Sequence, residues 1–154
     1  MTNYYCLVTG LPDLSLDDGK LNYTVANFKT ELYPQLSKED KKLIDLFYLK
    51  FDNENLLKLL KDKEAVIDAS LGNYSVDELL SVINSFKEEL PPDKKFPSYF
   101  YQFAALYLDS SEEERIGIED QLYGYYYDYA MSSSNAFVSS WYELNLNVNN
   151  ILSA

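Results

Sequence analysis

Histidine is absent from this 154-residue chain, and cysteine, tryptophan and arginine each occur once, as Cys6, Trp141 and Arg115. Without histidine there is no imidazole to move protons near neutral pH or to bind a metal. A lone thiol cannot close an internal disulfide, and with no histidine beside it Cys6 is a weak nucleophile; it reads as a small buried hydrophobe in a reducing cytoplasm. The five glycines are scattered, so no loop can cradle a phosphate. No apolar run is long enough to cross a bilayer. The apolar Tyr4–Val8 stretch has no basic residue before it and no small-residue cleavage site after it, so it does not read as a secretory signal. Asp13-Leu-Ser-Leu-Asp-Asp-Gly19 imitates a calcium loop only loosely, because Asp18 stands where glycine is needed and Thr24 where glutamate is needed. Asn22-Tyr-Thr24 and Asn73-Tyr-Ser75 match a glycosylation pattern by coincidence.

Apolar residues, acids and tyrosine are plentiful. Apolar content is 47% with a mean hydropathy of −0.30, the composition of a folded chain. The net charge of −12 disfavours nucleic acid or an anionic lipid surface as a direct partner. From Asp109 onward eight acids face one base, Arg115, whereas the earlier part mixes its acids with all twelve lysines. Carboxylate pairs such as Asp17-Asp18 and Glu119-Asp120 are typical of exposed helix starts and do not by themselves suggest an active site. No catalytic, cofactor-binding or metal-binding residue is assigned, and no cofactor is expected.

Apolar spacing predicts helices almost throughout. Thr24 caps a short helix through Leu32, stopped by Pro34. Ser37 and Asp40 resemble a capping box ahead of Leu43, Ile44, Phe47 and Phe51 on one face. Asp52 or Asn53 is expected to cap a following segment that buries Leu56, Leu57 and Leu60, and Gly72 to end it in a left-handed turn. Ser75 and Glu78 form the clearest capping box, followed by an apolar face of Val76, Leu79, Leu80, Ile83, Phe86 and Leu90. Pro97 opens a helix with Phe100, Phe103, Ala104 and Tyr107 on one side. Ser110–Glu114 is expected to open the next helix. That helix carries two apolar faces, Ile116, Tyr123, Tyr127 and Ala130 against Ile118, Leu122, Tyr125 and Tyr129, and should be clamped between neighbours. A last helix carries Phe137, Trp141, Leu144, Val148 and Ile151 as its buried stripe. Asn3–Val8 fits either a helix or a strand, and Asp13–Gly19 reads as a loop.

The sum is an all-α single domain over residues 1–154, built from about seven helices packed as successive hairpins. The pattern is also compatible with an N-terminal part of a longer protein. An offset of 94 residues aligns Tyr48 with Tyr142, Asn53 with Asn147 and Asn55 with Asn149. It suggests a duplicated helical unit, approximately residues 24–60 and 118–154. In this reading Tyr48 and Tyr142 are matching positions of the repeat motif, and Asp52, Asn53, Asn55, Asn147 and Asn149 are helix caps that fix its geometry. Five of the fifteen tyrosines fall within Tyr123–Tyr129. Tyr123, Tyr125, Tyr126, Tyr127 and Tyr129 either fill wide gaps between helices or form an interaction surface, since tyrosine joins a large ring to a polar tip.

Phe51-Asp-Asn-Glu-Asn-Leu-Leu-Lys58, with a second copy at Leu146-Asn-Val-Asn-Asn-Ile-Leu152, resembles the repeated unit of the C-type (d-like) subunit of V/A-type rotary ATPases. Gly10-Leu-Pro-Asp-Leu14 and Glu31-Leu-Tyr-Pro-Gln-Leu36 resemble a bacterial uncharacterised family encoded beside V-type ATPase subunits. One departure is clear: where the C-type pattern carries an arginine after the asparagine, this chain has only Lys58 or Lys61. The resemblance implies a non-catalytic central-stalk subunit that links the membrane ring to the central shaft. It would be cytoplasmic, peripheral to the inner membrane, and membrane-associated only through the ring. Its partners would be other V-type ATPase subunits, with no nucleic acid. The alternative is a generic helical adaptor with a tyrosine-rich groove.

Overall fold

The computed structural model describes residue 4, residues 9–11 and residues 23–153. The expectations for Asn3–Val8 and Asp13–Gly19 lie outside the described residues, Tyr4 apart. Among the described residues there are six α-helices, one 3-10 helix and no strand, so the fold is all-α. The helices are α1 (Val25–Glu31), α2 (Lys38–Lys61), α3 (Val76–Lys87), α4 (Ser98–Asp109), α5 (Ile118–Met131) and α6 (Ala136–Ser153). Contacts divide the chain into two compact units, Met1–Asp45 and Leu46–Ala154.

In the first unit, Thr24 starts α1 as the sequence predicts. Its hydroxyl accepts from the Asn27 N–H at 3.1 Å, and the Asn27 side chain accepts from the Thr24 N–H at 3.2 Å. Pro34 sits in the 3-10 turn Tyr33–Gln35. At the start of α2 the Ser37 hydroxyl accepts from the Asp40 N–H at 3.1 Å. The reciprocal half of that cap runs through Tyr4, whose hydroxyl accepts from the Ser37 N–H at 2.8 Å and donates to the Asp40 carboxylate. The Tyr4 and Ser37 hydroxyls together hold the Asp40 carboxyl below its ordinary value.

In the second unit α3 packs on α4, α4 on α5 and α5 on α6, a run of successive hairpins. Leu56 and Leu59 of α2, Leu79, Val82 and Ile83 of α3, Phe100, Phe103 and Ala104 of α4, and Ile118 and Leu122 of α5 are fully or almost fully buried. Truncating one of these large side chains to alanine typically costs about 2–5 kcal/mol. Ser75 and Glu78 form the predicted capping box, and Lys95 pairs with the same glutamate.

Several expectations need correcting. Asp52, Asn53 and Asn55 do not divide two helices, because α2 runs unbroken from Lys38 to Lys61. Their side chains reach other segments and so do not compete for their own helix backbone. Asn147 and Asn149 likewise lie inside α6 and end no helix. Both windows of the 94-residue offset contain a helix, a short link and a longer helix. Their surroundings differ: Tyr48 and Tyr142 are both buried, whereas Asn53 and Asn55 are buried and Asn147 and Asn149 are exposed.

The buried face of α3 is Leu79, Val82 and Ile83, while Phe86 is exposed and Leu90 lies exposed beyond the helix end. The acids Glu112–Glu114 stand in a turn ahead of α5. That helix begins at Ile118, after Gly117 in the left-handed region at φ 78°. It packs between α4 and α6, as predicted, but its fully buried residues form one face, Ile118, Leu122, Tyr126 and Ala130, and not two. In α6 the buried residues are Val138 and Tyr142, and the predicted stripe from Phe137 to Ile151 faces outward. Helical spacing gives the angular width of an apolar face but not its neighbour, and α6 packs on α5 through a different face.

Candidate functional site

Two arrangements of polar side chains stand out in the second unit. In the first, Asp52 is completely buried in the middle of α2. Its carboxylate accepts from the backbone N–H of Asn73 at 2.9 Å and of Tyr74 at 3.1 Å, just ahead of the Ser75 cap of α3. Asp52 is therefore a cap in the chemical sense, but for N–H groups 21 and 22 residues further along the chain. Gly72 makes this possible by lacking a side chain, since a Cβ there would stand 2.2 Å from Asp52 Oδ1. Among the described residues only Gly117 is a glycine with positive φ, so Gly72 does not form the expected left-handed turn. Next to it, the buried Asn53 accepts from the Tyr99 hydroxyl at 2.7 Å. Asn53 Nδ2 has no hydrogen-bond partner among the described residues. Asn55 donates to the Asp68 carbonyl at 2.9 Å. This cluster ties the 62–75 connection and α4 to α2. Its work is architectural.

The second arrangement is a cleft of about 890 Å³ between α2, α5 and α6. This lies within the range of roughly 300–1,000 Å³ usual for ligand sites. Tyr126 and Tyr142 are its buried members and form the floor. Their hydroxyl oxygens lie 2.7 Å apart, and the Tyr126 oxygen is 2.9 Å from the Leu46 carbonyl. A phenol has one hydrogen to give. Tyr126 donates it to Leu46, so Tyr142 is the donor to Tyr126.

Tyr142 sits at the centre of a ring cluster, with Phe47, Tyr126 and Tyr127 at 5.3, 5.5 and 6.0 Å between centroids. The rim carries Lys50, Asp120, Tyr123, Trp141, Asn149 and Asn150. Asn149 donates to the Tyr127 hydroxyl at 2.9 Å and links α6 to α5 across the cleft wall. Gly124, inside α5, also lines the cleft, and a Cβ there would meet nothing within 4 Å.

Burial pushes the Tyr142 phenol up to about 12, with the Tyr126 hydroxyl as a smaller opposing influence. Tyr126 is raised further, by burial first and then by Tyr142. Tyr123 is raised by burial and by the nearby carboxylates Glu54 and Glu119. These phenols are therefore neutral at physiological pH and act as hydrogen-bonding tips on apolar rings. With flanking amides, one lysine and one aspartate, the cleft suits a largely apolar, uncharged segment with a few polar groups.

Of the tyrosines singled out by sequence, Tyr123, Tyr126 and Tyr127 line the cleft, joined by Tyr142. Tyr125 does not line it, and Tyr129 packs its ring on Tyr99 at 5.4 Å. Asn149 belongs to the cleft and Asn147 does not. Sequence reasoning missed Phe47, Lys50, Asp120, Gly124, Asn145, Leu146 and Asn150. The glycine between Tyr123 and Tyr125 was the available signal, since glycine inside a helix invites a close approach or an opening. Among the described residues, no group of three or more acidic or thiol side chains is placed to hold a metal ion.

No curated protein and no solved structure matches the chain. A family model does match, over residues 1–154, and the chain belongs to that family, described as protein of unknown function (DUF2764).

Proposed function

We propose that this protein is a non-catalytic coupling component whose cleft between α2, α5 and α6 receives a segment of another protein. The observation that carries this reading is the cleft itself. It combines aromatic rings, hydroxyls that stay protonated and amides, the residue chemistry favoured at protein interfaces. The finer assignment is a central-stalk subunit of a V-type ATPase that joins the membrane ring to the central shaft. That assignment is supported by the resemblance of Phe51–Lys58 and Leu146–Leu152 to the repeat of the C-type subunit. Membrane association would then be indirect, through the ring. Among the described residues no helix is long and apolar enough to cross a membrane.

Affinity capture of the tagged protein from native membranes tests both levels. Recovery of rotary ATPase ring, shaft or catalytic subunits supports the coupling assignment. Recovery of only unrelated soluble proteins leaves the helical adaptor. In either case Gly124→Trp, at a cleft position where an added Cβ meets nothing within 4 Å, should abolish the capture while leaving helix content unchanged. Capture that survives this substitution removes the cleft from the interface.

A further inference from the structure

The cleft runs lengthwise along α6, whose lining residues come in adjacent pairs one turn apart: Trp141 and Tyr142, Asn145 and Leu146, Asn149 and Asn150. From the first pair to the last is about 14 Å at 1.5 Å per residue, the length of four or five residues of a polyproline helix at about 3.1 Å each. Several side chains along it hold hydrogens that no group among the described residues accepts. The indole N–H of Trp141 and the ammonium of Lys50 can only donate, and neither has a hydrogen-bonded or ionic partner there. The Tyr123 hydroxyl is also without one, and burial together with Glu54 and Glu119 keeps it protonated. The Tyr127 hydroxyl accepts from Asn149 and leaves its own hydrogen unused. Against these four donors stands one lining group that can only accept, Asp120, while the amides of Asn145 and Asn150 offer both kinds of atom.

This excess of donors discriminates between occupants. A segment that covers these groups from water must take their hydrogens, because a covered donor left unpaired costs more than a made bond returns. A helix has already committed its backbone carbonyls to its own N–H groups. A β-strand brings as many backbone donors as acceptors. A run of prolines brings carbonyls and no N–H, and in the polyproline helix those carbonyls have no internal partner. The walls fit the same occupant, since aromatic-lined grooves grip proline rings and the polyproline helix loses little entropy on docking. Trp141 is stacked on Phe137 at 6.4 Å between centroids and 24° between planes, which holds its ring in place. On the α5 side Gly124 leaves room, a Cβ there meeting nothing within 4 Å.

We infer that the segment received by the cleft is proline-rich and docks as a polyproline helix, its carbonyls accepting from Trp141, Tyr123 and Lys50. This rests on the cleft being the docking site and adds the chemistry of what docks there. Decaproline, blocked at both ends, is the probe, and Trp141, the only tryptophan of the chain, is the reporter. Titration of the full chain should change Trp141 fluorescence saturably. An amphipathic helical peptide and a glycine–serine peptide should each bind about tenfold more weakly or worse. Followed by anisotropy of labelled decaproline, Trp141→Phe, which keeps a ring and removes the N–H, should weaken binding about fivefold. Gly124→Leu should abolish it. Both positions are exposed, so the far-ultraviolet spectra should be unchanged. The inference is overturned by the absence of saturable decaproline binding, by tighter binding of the helical peptide, or by binding that Gly124→Leu leaves intact. The docking-site reading fails on a different result, capture from membranes that survives Gly124→Trp. Loss of decaproline binding with capture still sensitive to that substitution therefore strikes the proline assignment alone.

Discussion

Gly72 and Asp52 are mutually dependent: the carboxylate oxygen of one occupies the place where a Cβ of the other would be, 2.2 Å away. Asp52 is fully buried and satisfies the backbone N–H groups of Asn73 and Tyr74. Neither group can move aside without leaving buried polar atoms unpaired. Gly72→Ala should therefore cost about 2–4 kcal/mol in urea unfolding, the range for breaking a buried polar network. Asp52→Ala should cost a similar amount, because it removes the carboxylate that accepts from the Asn73 and Tyr74 N–H groups. The two changes should not add. With the carboxylate removed, Gly72→Ala should become nearly neutral, and the double-mutant cycle reads that coupling directly. Full additivity would mean that the close approach does not constrain the loop.

The hydroxyl chain from Tyr142 to Tyr126 to Leu46 predicts an unequal pair of phenylalanine substitutions. Tyr142→Phe removes one donor and leaves Tyr126 bonded to the Leu46 carbonyl, for a loss of about 1 kcal/mol or less. Tyr126→Phe removes two bonds, leaving the Leu46 carbonyl only its intrahelical partner and the buried Tyr142 hydroxyl without its acceptor, for about 1–3 kcal/mol. Equal losses would contradict the donor order.

The same phenols set an alkaline limit. Tyr142 ionises near 10.0 when unfolded but is pushed up to about 12 when folded. The unfolded chain therefore releases this proton first. The resulting stability is complete below pH 10 and is lost progressively as pH rises toward 12. Tyr126 and Tyr99, also raised by burial, act in the same direction. Phenolate absorbance should rise in two stages, exposed tyrosines first and these three only as the helical signal collapses. Tyr142→Phe should make the fall in stability above pH 10 shallower.

How much of this was legible beforehand depends on whether the cause was local. The Thr24 and Ser75 caps, the Pro34 stop and the buried face Phe100, Phe103, Ala104 and Tyr107 all follow from residues within a few positions of one another. Asp52, Asn53 and Asn55 misled because residue type alone gives a preference for caps and turns. Their actual partners lie at Asn73, Tyr74, Tyr99 and Asp68, a distance that no local pattern encodes. The α6 stripe misled in the opposite way: its periodicity is real, yet nothing in this chain's described residues covers it. The cleft was half visible, through Tyr123, Tyr126 and Tyr127, because the ring cluster needed Tyr142 and Phe47 from two other helices to close its floor.

Gly117 and Gly124, seven positions apart, should answer the same substitution with opposite signs. Gly117 has φ 78°, where any Cβ meets its own backbone, although the space around it is empty. Gly117→Ala should destabilise by about 1 kcal/mol or more through that strain. Gly124 lies inside α5, where its missing side chain costs backbone entropy and a Cβ would meet open space. Gly124→Ala should stabilise by about 0.5–1 kcal/mol. A rise in melting temperature for Gly124→Ala alongside a fall for Gly117→Ala is the expected pattern. A loss at Gly124 would mean that α5 has a neighbour on the cleft side, and so would count against an open cleft there. If the alanine is tolerated and the tryptophan at the same position abolishes partner capture, the glycine serves access to the cleft and not the stability of the helix.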